Sequence, residues 1–214
     1  QYSVNTVIAY GNSANQEQVL GALELSYIDT PDELKKADDK IESIVSGISS
    51  KSTYDKLLYI AEYVCQQTEY GFKQLPDGGY DAINGVYDVL SGIRTNTVCT
   101  SYALTFQRFM EKAGINSYIL ANGGVHAWNI IELDGKWYGV DCTFGDLGNS
   151  FDRKYFLMGK NEMQMYNTPG ANIDPVAVFA KNHKVSDQNY SASSNPPKPT
   201  ESRVTSKPSE TLPT

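Results

Sequence analysis

Histidine and cysteine are both scarce in these 214 residues: there are two of the first and three of the second. The cysteines, Cys65, Cys99 and Cys142, are odd in number and fit no disulfide framework, so at least one thiol is free unless it pairs with another chain. No two residues among these cysteines, His126 and His183 stand at short ligand spacing, which disfavours a zinc site. No EF-hand pattern is present. Positive charge is also scarce: 18 Lys and Arg stand against 25 Asp and Glu, a net charge of −7. Nucleic acid and anionic membrane surfaces both select basic patches, so neither is an expected partner. No apolar run approaches the ~18 residues of a membrane span. No signal-peptide pattern is present, and a chain that begins at Gln1 reads as a processed or trimmed piece.

Apolar residues make up 40% of the chain and charged residues 20%, which is a globular composition with enough length for a substantial core. The 15 tyrosines hint weakly at a binding cleft. Residues 191–214, SASSNPPKPTESRVTSKPSETLPT, have too little apolar surface to offset the entropy of ordering them. They read as a linker or stalk, as follows many secreted or wall-attached domains, or as an ordinary disordered terminus. The expected division is an N-terminal extension with a helix over 1–50, a core over 51–185, and this tail.

Helix signals come first. Thr30-Pro31-Asp32-Glu33 forms a capping box with Pro at the first helical position, and the helix should run to about Gly47. A second helix begins near Ser52, with Leu57, Ala61, Val64 and Cys65 at helical spacing until Gly71. PDGGY, 76–80, reads as a loop and 82–91 as a short helix. A third long helix follows Thr97 as N-cap, buries Tyr102, Phe106, Phe109 and Met110, and ends at Gly114. Strand patterns then take over at 117–122, 125–133, 136–144 and 154–159. Helices followed by antiparallel strands predict an α+β fold.

Asp134-Gly135 is a two-residue hairpin signal, and it fixes a register. Leu133 pairs with Lys136, Asn129 with Val140, and Trp128 faces Asp141. Alternation then puts His126, Trp128 and Asp141 on one face, with His126 and Asp141 as diagonal neighbours about 7–8 Å apart by backbone position. An Asp on a His fixes its tautomer and favours its charged form. The bland alternative for His126 is a satisfied, half-buried histidine. Cys99 lies at the start of the third helix, where the helix terminus favours a thiolate; the alternative is a small buried residue. The small polar neighbours Thr97, Thr100 and Ser101 suit a cleft better than a core. Cys65 and Cys142 read as core residues.

The runs TVCTSYALTFQRFMEKAGINSYIL and GGVHAWNIIELDGKWYGVDCTFGD resemble the transglutaminase-like superfamily, in its bacterial transglutaminase-core branch. The helix start VC-x-x-Y-A, the HAWN strand and the DGKWY-x-VD strand occur in that order, over about residues 53–160. Cys142 and Phe144 stand where the branch usually has Val and Trp, and Thr97 stands where a Gly often precedes the VC pair. The resemblance implies a papain-like α+β fold with Cys99 as nucleophile, His126 as general acid/base and Asp141 as orienter. It implies acyl transfer on a protein or peptide substrate, in the manner of a cysteine protease or peptidase, with hydrolysis favoured over crosslinking by an amine acceptor. A retired binding or scaffold module is the third expectation. Tyr70, Gln66 and Gln67 are candidates for a second oxyanion donor, and Trp128 either lines the cleft or fills the core. Thiol–imidazole chemistry requires no metal or cofactor. The tail and the acidic domain suggest an extracellular or cell-surface setting, bacterial, with wall or surface components as possible partners.

Overall fold

The computed structural model describes residues 29–76, 80–81, 85–92, 96–122, 126–167 and 174–191. Residues 1–28, the expected tail from 192 onward, the tip of PDGGY and residues 82–84 of the expected short helix lie outside them. The first helix, α1 (Pro31–Gly47), starts as its sequence predicts: Thr30 Oγ1 accepts from Glu33 N, and Glu33 Oε2 accepts from Thr30 N at 2.8 Å. Ser52 caps α2 (Thr53–Gln67) through Asp55 N. A two-residue hairpin, β1 (Lys73–Gln74) and β2 (Tyr80–Asp81), lies where only a loop was expected. Next come the short α3 (Val86–Leu90) and α4 (Cys99–Ala113). Gly114 ends α4 with φ of 68°, the left-handed conformation that favours glycine.

A three-stranded antiparallel sheet follows, in the order β3 (Ser117–Ala121), β4 (Ala127–Leu133), β5 (Lys136–Val140). Asp134 and Gly135 take φ of 52° and 73° at the turn. The register is the one this turn predicts: Leu133 with Lys136 and Asn129 with Val140. The architecture is therefore α+β.

The sheet is covered on both faces, which explains why β4 is apolar along nearly its whole length rather than alternating with polar residues. Ile131, Leu133, Tyr138 and Val140 face a core shared with Ile41, Leu57, Ile60, Tyr102, Phe106 and Phe109 from α1, α2 and α4. Trp128, Ile130 and Trp137 face a second cluster with Met158, Met163, Tyr166 and Val176. The last three come from α5 (Lys160–Met163), the 3-10 turn after it and α6 (Pro175–Ala180). Helix α1 belongs to the main core, and Arg108 of α4 clamps it through Asp38 at 2.6 Å.

Three expectations are corrected. The strand after the turn ends at Val140, because the chain folds back around the Asp141 carboxylate. Residues 154–159 do not form a strand. Arg153–Tyr155 is a 3-10 turn, Leu157 has a φ of 52°, and only Met158 bridges β5, at Gly139. The positive φ breaks the extended run. Thr97 is not the cap of α4: Val98 holds that position, with no side-chain cap bond. Thr97 instead pairs through its backbone beside Tyr70.

Candidate active site

The sequence-predicted residues Cys99, His126 and Asp141 meet at one end of the sheet. Cys99 is the first residue of α4 and half-buried. No side chain caps that end, so the helix terminus faces the thiol with its positive partial charge undiminished by a capping oxygen. His126 stands just before β4, and Asp141 just after β5. The hairpin register brings them together, and His126 Nε2 lies 2.7 Å from Asp141 Oδ2. That bond leaves Nδ1 free to act on the Cys99 thiol, whose thiolate the imidazole and the Ala127 backbone N–H both favour.

Electrostatics follow from these contacts. Burial pushes the Cys99 thiol up, but the His126 hydrogen bond, the Ala127 N–H and the imidazole charge together hold it below its ordinary value. Burial pulls His126 down, yet the Asp141 and Cys99 contacts outweigh it and raise the imidazole to about 9. Opposite shifts in thiol and imidazole favour a thiolate–imidazolium pair.

Asp141 is fully buried, and both its oxygens are held. Oδ1 accepts from the backbone N–H groups of Thr143 and Phe144 at 2.9 and 3.0 Å. Oδ2 accepts from His126 and from the Tyr166 hydroxyl, which donates at 2.7 Å. Tyr166 escapes a sequence reading because it comes from a short, irregular segment with no periodic signal. Its own hydroxyl is pushed up by burial and by the Asp141 charge, so it stays a donor. Asn122 is a second unforeseen support. Its Oδ1 accepts from His126 N and its Nδ2 donates to Tyr166 O, both at 2.7 Å. One amide thus ties the acid/base candidate to the residue that holds its carboxylate.

Aromatic rings set the imidazole plane. Phe144 stacks on His126 at 4.3 Å with 9° between planes, and is itself 46% exposed. Trp128 does not line an open cleft. It is 1% exposed and stacks on Tyr166 at 4.3 Å, behind His126. The alternation that puts it on the His126 face also puts it under α5 and the turn that follows.

The remaining candidates are less closely engaged. Gln66 is exposed and Gln67 half-buried at the end of α2, and Tyr70 lines a cavity beside the Thr97 segment. Cys65 and Cys142 are buried in the main core, where Cys65 donates to the Cys142 carbonyl at 3.3 Å. Burial and Cys65 raise the Cys142 thiol, which makes it a poor nucleophile. Among the described residues, no group of three or more His, Cys, Asp or Glu is arranged to hold a metal ion, and no helix is long and apolar enough to cross a membrane.

No family profile matches the chain. It is similar to the kyphoscoliosis peptidase of Homo sapiens, 23% identical over 183 residues, covering 71% of this chain and 26% of that protein. The kyphoscoliosis peptidase of Mus musculus is also 23% identical, over 167 residues, covering 70% of this chain and 24% of that protein. The chain thus spans about a quarter of the length of these curated relatives. A solved structure described as a TGase is 20% identical, with a TM-score of 0.44, covering 60% of this chain and 36% of that one.

Proposed function

We propose that this domain catalyses thiol-dependent acyl transfer on peptide or amide carbonyls, chiefly by hydrolysis. The observation that carries the proposal is the meeting of Cys99, at the start of α4, with a His126 that bonds a buried Asp141 at 2.7 Å and whose imidazole favours the Cys99 thiolate. The Cys99 thiolate attacks the carbonyl carbon. The oxyanion that forms is met by the Cys99 backbone N–H at the helix start, with Gln66, Gln67 or Tyr70 as the second donor. His126 gives its Nδ1 proton to the leaving amine as the C–N bond breaks. It then takes a proton from water, which attacks the thioester and releases the carboxylate and Cys99. Asp141 holds the imidazole throughout and balances its charge.

The peptidase names of the relatives support the hydrolytic reading. The rival acceptor is an amine, which would make the same thioester an intermediate of crosslinking. A cell-surface setting remains a proposal that rests on the Ser/Thr/Pro-rich tail. The test is a peptide library incubated with wild-type and Cys99→Ala protein, with and without a labelled amine, and read by mass spectrometry. New termini that require Cys99 support hydrolysis. Amine incorporation that requires Cys99, without new termini, supports crosslinking. Neither product in any arm refutes both.

A further inference from the structure

Three cysteines leave one thiol over, and the fold says which. Cys65 and Cys142 both lie in the main core, 0% and 2% exposed, whereas Cys99 is half-buried at the start of α4, outside that core. All three are free thiols here. Cys65 Sγ donates to the Cys142 carbonyl oxygen at 3.3 Å, across 77 residues of chain. That carbonyl carbon is two bonds from the Cβ carrying the Cys142 sulfur, so one sulfur touches the residue that bears the other. After burial, Cys65 is the largest influence on the Cys142 thiol.

Both residues sit at the ends of their elements. Cys65 is in the last turn of α2, and Cys142 is in the turn that follows β5. A disulfide needs Cβ atoms about 3.5–4.5 Å apart, and a helix end facing a turn can settle to that separation with little cost to the elements themselves. The Cys65 hydrogen bond is a weak one, as thiol donors make, and apolar packing alone would be served as well by Ala or Val. Each cysteine also borders a segment that delivers the site. Cys142 follows Asp141 directly, and α2 leads into residues 69–71, whose backbone pairs with Thr97 just ahead of Cys99. A bond between the two sulfurs would staple those segments together.

We propose that Cys65 and Cys142 close as a disulfide when the domain folds in the presence of a small-molecule disulfide oxidant, of which glutathione disulfide is the model. The thiolate of one cysteine attacks the oxidant, forms a mixed disulfide and releases one small thiolate. The thiolate of the other attacks the protein sulfur of that mixed disulfide; the new S–S bond forms and the second small thiolate leaves. The two cysteine protons end on the two released thiols, so the cysteines are oxidised and the small disulfide is reduced. Burial shuts the folded pair away from any oxidant in solution, so closure belongs to folding, before the core seals. The pairing leaves Cys99 as the single free thiol, which the acyl-transfer reading requires of it, but the bond does not depend on that reading.

The test refolds the full chain, reduced and unfolded, in a buffer of glutathione and glutathione disulfide, beside a second refolding in excess reductant. Free thiols are then blocked with iodoacetamide in denaturant, and digestion without reductant followed by mass spectrometry reads the pairing. The expected result is a Cys65–Cys142 linked peptide in most molecules, two hydrogens lighter than the separate pair, with the label on Cys99 alone. The oxidised protein should unfold about 5 °C or more above the reduced one, and reductant should no longer matter in the double variant Cys65→Ala, Cys142→Val. Cys65 and Cys142 recovered as labelled thiols or glutathione adducts overturn the proposal. Links that join Cys99 to either of them as often as they join the two to each other also overturn it. So does a Cys65–Cys142 link that brings no rise in unfolding temperature, because the native fold would then not accommodate the bond.

Discussion

His126 Nε2 and Asp141 Oδ2 lie 2.7 Å apart across a separation of fifteen residues, and the Asp134-Gly135 turn is what brings them together. The Asp therefore acts at a distance set by hairpin register rather than by flexible loops. Asp141→Asn keeps the volume but removes the charge and the tautomer control. It is expected to lower kcat by about 10³–10⁴-fold with the fold retained, as measured by peptide turnover beside circular dichroism.

The pH dependence follows from the directions of the two shifts. The reactive pair needs a thiolate and an imidazolium together. It exists above the lowered thiol pKa of Cys99 and below the imidazole pKa of about 9. Activity is therefore expected to rise as pH passes the lowered thiol value, and to fall as pH climbs through about 9 and His126 loses its proton. In Asp141→Asn the alkaline limb should move to lower pH, since the carboxylate that favours the imidazolium is gone. Profiles of kcat/KM for the two proteins check both statements.

Tyr166 is a positioning residue that touches the carboxylate and not the reactants. Tyr166→Phe removes a donor from a buried, charged acceptor, a bond worth about 1.5–3 kcal/mol. Urea unfolding should show a loss of that order. The remaining Asp141 charge would be less shared, so the alkaline limb should move up, opposite to the Asp141→Asn shift. A purely structural role would lower stability and leave that limb in place.

Gly145 turns the chain that wraps Asp141. A Cβ there would stand 2.9 Å from the Asp141 carbonyl oxygen and against the Phe151 ring, neither of which is the loose end of a flexible side chain. Gly145→Ala is expected to cost about 1–3 kcal/mol through forced shifts in a packed region, and to reduce turnover because the displaced backbone is that of Asp141. Thermal unfolding and turnover measured on one preparation test the link.

Local signals read well from the sequence where their physics is local. The Thr30 capping box, the left-handed Gly114 stop and the two-residue turn are each decided by a few neighbouring atoms, and the turn carries its information across a whole hairpin. Residues whose role depends on tertiary partners were not legible. Trp128 shares the His126 face, but whether that face is open or covered depends on α5 and α6, helices of four and six residues that are too short for periodicity to reveal. A start signal for α6 did exist in Asp174-Pro175, a cap followed by proline. Tyr166 and Asn122 meet only because the segment after β5 returns across the sheet. Leu157, with its positive φ, is a conformation that no β-propensity of the surrounding KYFLMG predicts.

Alkylation of the intact protein by iodoacetamide at about pH 6, where an ordinary thiol is almost wholly protonated, tests the central claim most directly. Mass spectrometry locates the label in wild type, His126→Ala and Asp141→Ala. Rapid labelling at Cys99 that slows at least tenfold in His126→Ala is the predicted result, because it requires a thiolate held by the imidazolium. Labelling of Cys99 no faster than that of Cys65 or Cys142 in unfolded protein, and indifferent to His126, would contradict the account and leave a domain with the shape of a catalyst but no activated thiol.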